Sequence, residues 1–277
     1  MAPALILYII MVMFPAVYSA VISLFDWNGI SEMTFVGLKN YITLFAADKV
    51  FRIAMKNTVI WMVLTIFVTV FFSLLLAVML NRQFRGKVIY RAIFYFPYML
   101  SWIVVGVIWK WMYNPNFGMI NTILDAVGLV SLKGSYLSDP KLALICIFIA
   151  ALWQSIGQPV LYFLAGLQSL PSDVLEAAQI DGAGKVASFF RVTIPLLKET
   201  FVIVLATQVI NALKVYDVVY AMTDGGPVNS TQTLATYMYS QTFRYNHFGT
   251  GSAVAMIMVI MMIAIIIPYI KFSVKED

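Results

Sequence analysis

Charged residues are scarce in this sequence, and so are the side chains that bind metals or form disulfides. Only 11% of the 277 residues are charged, and the chain has one cysteine and one histidine. A single cysteine cannot form an internal disulfide, and we expect Cys146, which lies in an apolar run, to be a small buried side chain. His247 has no histidine or cysteine near it in the sequence that could share a metal ion, so no metal site is predicted.

Motifs for nucleotide binding and for catalysis are also lacking. No stretch fits the phosphate-binding pattern G-x-x-x-x-G-K-[ST]; Gly86-Lys87 and Gly184-Lys185 lack the rest of it. No Ser, His and Asp grouping can be argued for nucleophilic catalysis. We therefore expect no enzymatic activity and no cofactor bound by this chain, so that the energy for any active process must come from a partner.

Long apolar stretches make up most of what the sequence does contain. Hydrophobic residues account for 62% of it, and the mean hydropathy is +0.89. Soluble domains are about one quarter charged, so we predict an all-α integral membrane protein with a single transmembrane domain over residues 1–277. A helix of about 20 apolar residues spans a bilayer. By that measure we predict six transmembrane helices, at 2–25, 58–80, 92–113, 142–167, 200–222 and 249–270.

The distribution of basic residues predicts the orientation of these helices. The loop after the second helix has no acidic residue and contains Arg82, Arg85, Lys87 and Arg91. Such loops stay on the cytoplasmic side, and an even number of spans then puts both termini there, with external loops at 114–140 and 223–248. The first apolar run has no basic start and no clear cleavage site. We interpret it as a retained anchor, with a signal peptide as the alternative, and expect further cytoplasmic residues ahead of it.

The longest polar break in the C-terminal half is the stretch 171–198. Ser172 or Asp173 can cap a first short helix. The Asp-Gly-Ala-Gly sequence that follows ends this helix, with Gly182 where a positive φ is commonly needed. A second short helix starts at Lys185. Because both helices are too short to span a bilayer, we predict a helix–turn–helix on the membrane surface that fits a cleft in another protein.

This stretch also carries a family resemblance. Its Glu-Ala-Ala-x-x-Asp-Gly-Ala pattern from Glu176, with Phe189 and Ile194-Pro195 after it, resembles the signature loop of permease subunits of binding-protein-dependent ABC importers. Other patterns resemble the larger permease subunit of carbohydrate importers, the group that includes the maltose transporter. They are Arg85-Gly86-Lys87, Phe96-Pro97-Tyr98, Asn116-Phe117-Gly118, Thr223-Asp-Gly-Gly-Pro and Phe248-Gly249. The resemblance runs from about Asp26 to the end. The large external insert of the maltose subunit is absent, and Glu199 stands where many relatives have Pro, so maltose specificity stays open.

The resemblance implies a set of partners and a location. The signature loop of such permeases docks into a cytoplasmic ATPase, and the residues that would do so here are Glu176, Ala177, Ala178, Asp181, Gly182, Ala183, Phe189, Arg191 and Pro195. A second permease subunit, two ATPase subunits that bind ATP and Mg, and an extracytoplasmic solute-binding protein would complete the complex in a bacterial or archaeal cytoplasmic membrane. The substrate would be a sugar or oligosaccharide; a glycerol-phosphate ester stays open, because relatives carry one.

Polar side chains inside the predicted spans indicate where a solute could pass. Such side chains are costly in a bilayer and usually face a cavity or a neighbouring helix. Amides pair with sugar hydroxyls, and aromatic rings cover the apolar face of a pyranose. The candidates for a substrate path are Trp153, Gln154, Gln158, Gln208, Asn211 and Tyr216. Helix–helix packing through the amides is the alternative. Lys214 and Asp217, at i and i+3, are expected to pair with each other.

A second hypothesis is a transporter or channel for a small polar solute that uses an ion gradient and no ATP. Such a protein should carry ionisable residues deep in several spans. Only Lys214 and Asp217 approach that description. A membrane enzyme is a third and weaker hypothesis, because the sequence has no catalytic constellation.

Overall fold

The structure, a computed structural model, describes residues 2–274, and most of them are helical. Strands β1 (Phe25–Asp26) and β2 (Thr34–Phe35) pair as an antiparallel hairpin. The main helices are α1 (Pro3–Ile22), α2 (Lys39–Ala46), α3 (Lys49–Asn81), α4 (Lys87–Tyr95), α5 (Trp102–Met112), α6 (Met119–Ala126), α7 (Ala143–Ser155), α8 (Gly157–Gln168), α9 (Ser172–Ile180), α10 (Lys185–Ser188), α11 (Lys198–Leu213), α12 (Asp217–Met222), α13 (Leu234–Tyr239) and α14 (Phe248–Val274). Single helical turns of 3₁₀, π or α type lie at Phe96–Met99, Val130–Leu132, Tyr136–Ser138, Phe189–Thr193, Ile194–Leu196 and Ser240–Arg244.

Three helices in the described part of the chain, α1, α3 and α14, are continuous and apolar enough to cross a bilayer. α14 covers the last predicted span, and α1 covers most of the first, ending at Ile22 where the prediction ends at residue 25. α3 begins at Lys49, nine residues ahead of the predicted start of the second span at Thr58. The reason is a cap: the Asp48 carboxylate accepts a hydrogen bond from the Phe51 amide at 2.8 Å and starts the helix early. Charged residues in the first turns of α3 interrupt the apolar pattern by which the spans were predicted, so the sequence does not indicate this part of the helix.

The other predicted spans are broken helices. The span at 92–113 consists of α4 and α5, which meet at 100°. The span at 142–167 is α7 and α8 with a break at Ile156, and the span at 200–222 is α11 and α12 with a break after Leu213. By length and composition, the described residues form up to five spans when each of two bent helix pairs is counted once. The count of six therefore stays a prediction.

The bundle has two distinct ends, separated by the 33 residues of α3, or about 50 Å of helix. The hairpin end carries β1, β2 and the start of α14, where the Phe248 amide donates to the Trp27 carbonyl at 2.9 Å. The basic end carries the loop of Arg and Lys residues, where Arg91 Nη2 donates to the Leu80 carbonyl at 3.0 Å. The helix–turn–helix also lies at the basic end, because Phe189 lies against the C-terminal part of α3.

The buried core of the described residues consists of three apolar clusters along the bundle. In the middle cluster, the rings of Trp61 and Phe148 meet edge to face at 5.4 Å. Cys146 is buried in the same cluster, which confirms its expected role. Ala212 and Val218 also belong to it, so the core holds both sides of the break between α11 and α12.

The segment 223–248, which the sequence predicts to be an external loop, is folded into the bundle. Asn57 on α3 donates through Nδ2 to the carbonyls of Ser230 at 2.8 Å and Gln232 at 2.9 Å. Thr58 Oγ1 accepts a hydrogen bond from the Leu234 amide at 2.9 Å. Because side chains of α3 satisfy its backbone groups, the segment can be buried without a long helix or a sheet.

Candidate solute site and coupling surface

The break between α11 and α12 is a stabilised feature of the fold. The chain leaves helical geometry from Lys214 to Tyr216 before α12 begins. Thr233, in the segment 223–248, donates through Oγ1 to the Val215 carbonyl at 2.8 Å. A carbonyl freed by the break is thus bound by a side chain, as buried backbone groups require.

A cavity of about 320 Å³ opens beside this break. Four of the predicted path residues line it: Gln158 on α8, Gln208 and Asn211 on α11, and Tyr216 in the break. The structure adds lining residues that the sequence analysis missed, namely Trp61, Thr65, Tyr98, Trp102 and Ser155. The spacing of Trp61 and Thr65 in the sequence could have indicated these two. Trp61 and Thr65 lie four residues apart and so share one face of α3.

The amides in this cavity differ in how freely they can meet a solute. Gln208 is only 2% exposed, whereas Asn211 is exposed. The Gln158 Nε2 donates to the Tyr162 hydroxyl at 3.1 Å, which holds that amide in place. Asn211 is therefore the amide best placed to exchange water for a solute hydroxyl.

Trp153 and Gln154 do not line this cavity, and their assignment to the solute path stays a prediction. Gln154 is 3% exposed, and its Nε2 lies 3.2 Å from the Leu100 carbonyl, in the link between α4 and α5. Trp153 packs edge to face against Trp109 at 6.1 Å. Ser155 and Gln158, which are three residues apart, lie on the side of α7 and α8 that lines the cavity, whereas Trp153 and Gln154 contact α5 and the link that precedes it.

Lys214 and Asp217 both line the cavity, and both are exposed. The described residues contain no ion pair between them, so the expected pairing was wrong. A helical i,i+3 pair needs a continuous helix between its members, and the chain between Lys214 and Asp217 is not helical. The cavity therefore presents a positive and a negative side chain beside its amides and aromatic rings.

At the basic end, the stretch 171–198 forms the predicted helix–turn–helix. α9 ends in a turn in which the Asp181 amide donates to the Ala177 carbonyl at 2.9 Å and the Ala183 amide to the Ala178 carbonyl at 3.0 Å. Gly182 has φ +80, which confirms the expected left-handed conformation. A Cβ added there would meet no atom within 4 Å, so the turn is a free tip.

Most of the residues assigned to coupling are exposed at this tip. Glu176, Ala177, Asp181, Gly182, Arg191 and Pro195 are exposed, and Ala178, Ala183 and Phe189 are half-buried. The tip also exposes apolar side chains that the resemblance did not indicate: Val174, Ile180, Val186 and Phe190. Ile180 is 86% exposed, which is costly in water and typical of a surface that another protein covers.

Phe189 connects this tip to the transmembrane helices. Its ring lines an apolar hollow of about 140 Å³ together with Phe71, Leu74, Leu75 and Val78 of α3. The chain then passes through Pro195 into α11, the helix that carries Asn211. A displacement of the tip would thus reach both α3 and the helix that lines the cavity.

A helical, apolar chain with a polar cavity at its broken helices and an exposed helix–turn–helix has the features of a membrane transport subunit. The sequence profile of the binding-protein-dependent transport system inner membrane component matches residues 69–272. The chain therefore belongs to this family of membrane components.

Individual relatives support this assignment. A probable ABC transporter permease of Pyrococcus horikoshii is 36% identical over 276 residues, covering 99% of this chain and 94% of the relative. The permease protein of a multiple sugar-binding transport system of Streptococcus mutans is 33% identical, covering 99% of this chain and 93% of the relative. The crystal structure of a bacterial ABC transporter that imports the acidic polysaccharide alginate has the same fold, with a TM-score of 0.86, 20% identity, and coverage of 99% of this chain and 93% of that chain.

Proposed function

We propose that this chain is one half of the channel of an ATP-driven importer that moves a sugar or oligosaccharide across the cytoplasmic membrane. The observation that carries the proposal is the cavity at the α11–α12 break, which combines amides with the aromatic residues Trp61, Tyr98, Trp102 and Tyr216. Amides exchange hydrogen bonds with hydroxyls, and aromatic rings cover the apolar face of a pyranose. The name of the S. mutans relative, a multiple sugar-binding system, supports the same substrate class.

The proposed complex has partners on both sides of the membrane. A second, similar permease would supply the opposite wall of the cavity, next to the exposed side chains of Asn211, Lys214 and Asp217. Two ATPase subunits, which bind ATP and Mg, would dock on the tip at the basic end. A solute-binding protein would deliver sugar at the hairpin end. From the basic loop we infer that the basic end, and with it both termini, faces the cytoplasm.

In the proposed mechanism, the ATPases close on ATP and displace the tip around Gly182. Phe189 transmits the movement to α3, and Pro195 transmits it to α11. Because both helices line the cavity, their shift would change which end of the bundle gives access to it. An ion-gradient transporter is the less favoured alternative, since the family is binding-protein-dependent.

Replacing Asn211 by Ala tests the substrate site. A hydrogen bond of this kind contributes about 0.5–1.5 kcal/mol, so we expect sugar affinity to fall by up to roughly tenfold while the complex still assembles. The measurement is uptake of a sugar panel in vesicles. Gln168→Ala is the matched control, because that amide is exposed outside the cavity. If Asn211→Ala took up every tested sugar normally, Asn211 would serve helix packing and not substrate binding. The proposed sugar site would then lose its main support.

A further inference from the structure

A row of aromatic rings leads from the cavity to the hairpin end. It consists of Tyr216, Tyr239, Phe243, Phe248 and Trp27, and we call it the aromatic row. The centroids of successive rings lie 5.0, 5.1, 6.4 and 5.3 Å apart. Tyr216 lines the cavity, and Trp27 follows the hairpin strand β1, so the row joins the two places directly.

No ring of this row is fully buried: Phe243 is exposed, and the other four rings are half-buried. Phe243 is 62% exposed, and the neighbouring Tyr220, which stacks on Tyr216 at 5.3 Å, is 39% exposed. Exposing a phenyl ring forgoes roughly 1.5–3 kcal/mol of burial. Because each of the five rings keeps part of its surface accessible and Phe243 keeps most of it, the row can contact a transient apolar partner.

The backbone and a charged pair hold the row in place. Tyr239 and Phe243 are four residues apart, on one face of consecutive helical turns. Gly29 lies so close to Phe248 that a Cβ there would approach its ring to 2.7 Å. Asp224 accepts two hydrogen bonds from Arg244 Nη2, each 2.7 Å long.

The same charged pair supplies polar groups beside the rings. The Arg244 guanidinium lies over the Tyr220 ring, 5.6 Å from its centroid. Its hydrogen bond to Asp224 raises the pKa of Arg244, so the guanidinium stays charged. Charged donors and acceptors next to aromatic faces match a molecule with apolar ring faces and hydroxyl edges.

We propose that the aromatic row is an access path along which the pyranose rings of the substrate stack on their way from the hairpin end to the cavity. The proposal rests on the proposed function as a sugar importer. It adds a specific role for residues outside the cavity, and it favours extended oligosaccharides, which can contact several rings at once.

The test compares Phe243→Leu with Phe243→Tyr in the assembled transporter, reconstituted in vesicles with its binding protein. Leu keeps the apolar volume and removes the ring, whereas Tyr keeps the ring. We expect Phe243→Leu to raise the KM for oligosaccharide uptake by about two- to tenfold, with an unchanged maximal rate and a smaller effect on monosaccharides. Phe243→Tyr should retain uptake. Phe117→Leu is the matched control, because Phe117 is 70% exposed in a different loop.

The outcomes separate this proposal from the proposed function. Wild-type vesicles that import no glucan or uronate oligosaccharide and no monosaccharide would refute the sugar importer itself. If wild-type vesicles import sugar and Phe243→Leu vesicles import it equally well, only the access path along the aromatic row is refuted. A loss of binding-protein-stimulated ATP hydrolysis in Phe243→Leu without added sugar would identify the row as a docking surface and overturn the access path, as would equal losses in the Leu and Tyr variants.

Discussion

Gly182 and Gly184 provide a matched pair for testing whether the tip at the basic end couples to an ATPase. A Cβ at either position would meet no atom within 4 Å. The two glycines differ in backbone conformation: Gly182 has φ +80, and Gly184 has φ −63 and ψ 159, which any residue adopts. Substitution by Val at both sites therefore adds the same side chain and strains only one backbone.

The strain at Gly182 sets the expected magnitude. A non-glycine residue in the left-handed region costs about 1–2 kcal/mol, and β-branching adds to this cost. Nothing else in the described part of this chain opposes the Val side chain, so the turn after α9 should shift or open while the transmembrane helices still insert. Gly182→Val should then either lose its ATPase on purification or hydrolyse ATP without moving solute.

The assay measures ATPase co-purification, solute-stimulated hydrolysis and vesicle uptake for both variants. Gly184→Val should assemble with its ATPase and keep most of its uptake. Gly182→Asn should recover part of the function, because Asn tolerates a positive φ better than Val. If Gly182→Val kept wild-type hydrolysis stimulation and uptake, or if the two Val variants lost function equally, the turn would not be the coupling element.

Two further predictions concern the hairpin end and the orientation. Asn57→Leu removes the donor to the partly buried Ser230 carbonyl and the buried Gln232 carbonyl. An unsatisfied buried carbonyl costs about 1–3 kcal/mol, so the melting temperature of the purified complex should fall clearly below that of Val59→Leu. Equal melting temperatures would show that the segment 223–248 is held by other contacts. In a Cys146→Ser background, a cysteine at Phe84 should react only with reagents that enter the cytoplasm and one at Asn229 only from outside; external labelling at Phe84 in intact cells would reverse the orientation.

Local chemistry in the sequence predicted the helix–turn–helix well. Gly182 is a case in which one residue type at one position carries the signal, since a turn that needs φ > 0 selects glycine. The apolar runs likewise predicted a helical membrane protein, because apolar stretches of about 20 residues match the thickness of a bilayer and exceed the length of most core helices in soluble proteins.

The break after Leu213 could not be predicted in the same way. The Val215 carbonyl, which the break frees, is bound by Thr233, and Thr233 lies in a segment whose position the sequence does not indicate. The early start of α3 depends on the Asp48 cap, which starts a helix at residues that are too charged to be predicted as part of a span. Gln154 and Gln158 read alike in the sequence, but the path of α4 and α5 decides that the first packs against the Leu100 carbonyl and the second lines the cavity.

The energy source for uptake is the most direct test of the proposed ATP-driven import. The complex would be purified through a tag on this chain and reconstituted in sealed vesicles with its solute-binding protein on the outside. We predict that an oligosaccharide accumulates only with ATP and Mg inside, and that the Gly182→Val vesicles do not accumulate it. Accumulation without ATP, driven by a proton or sodium gradient, would contradict ATP-driven import.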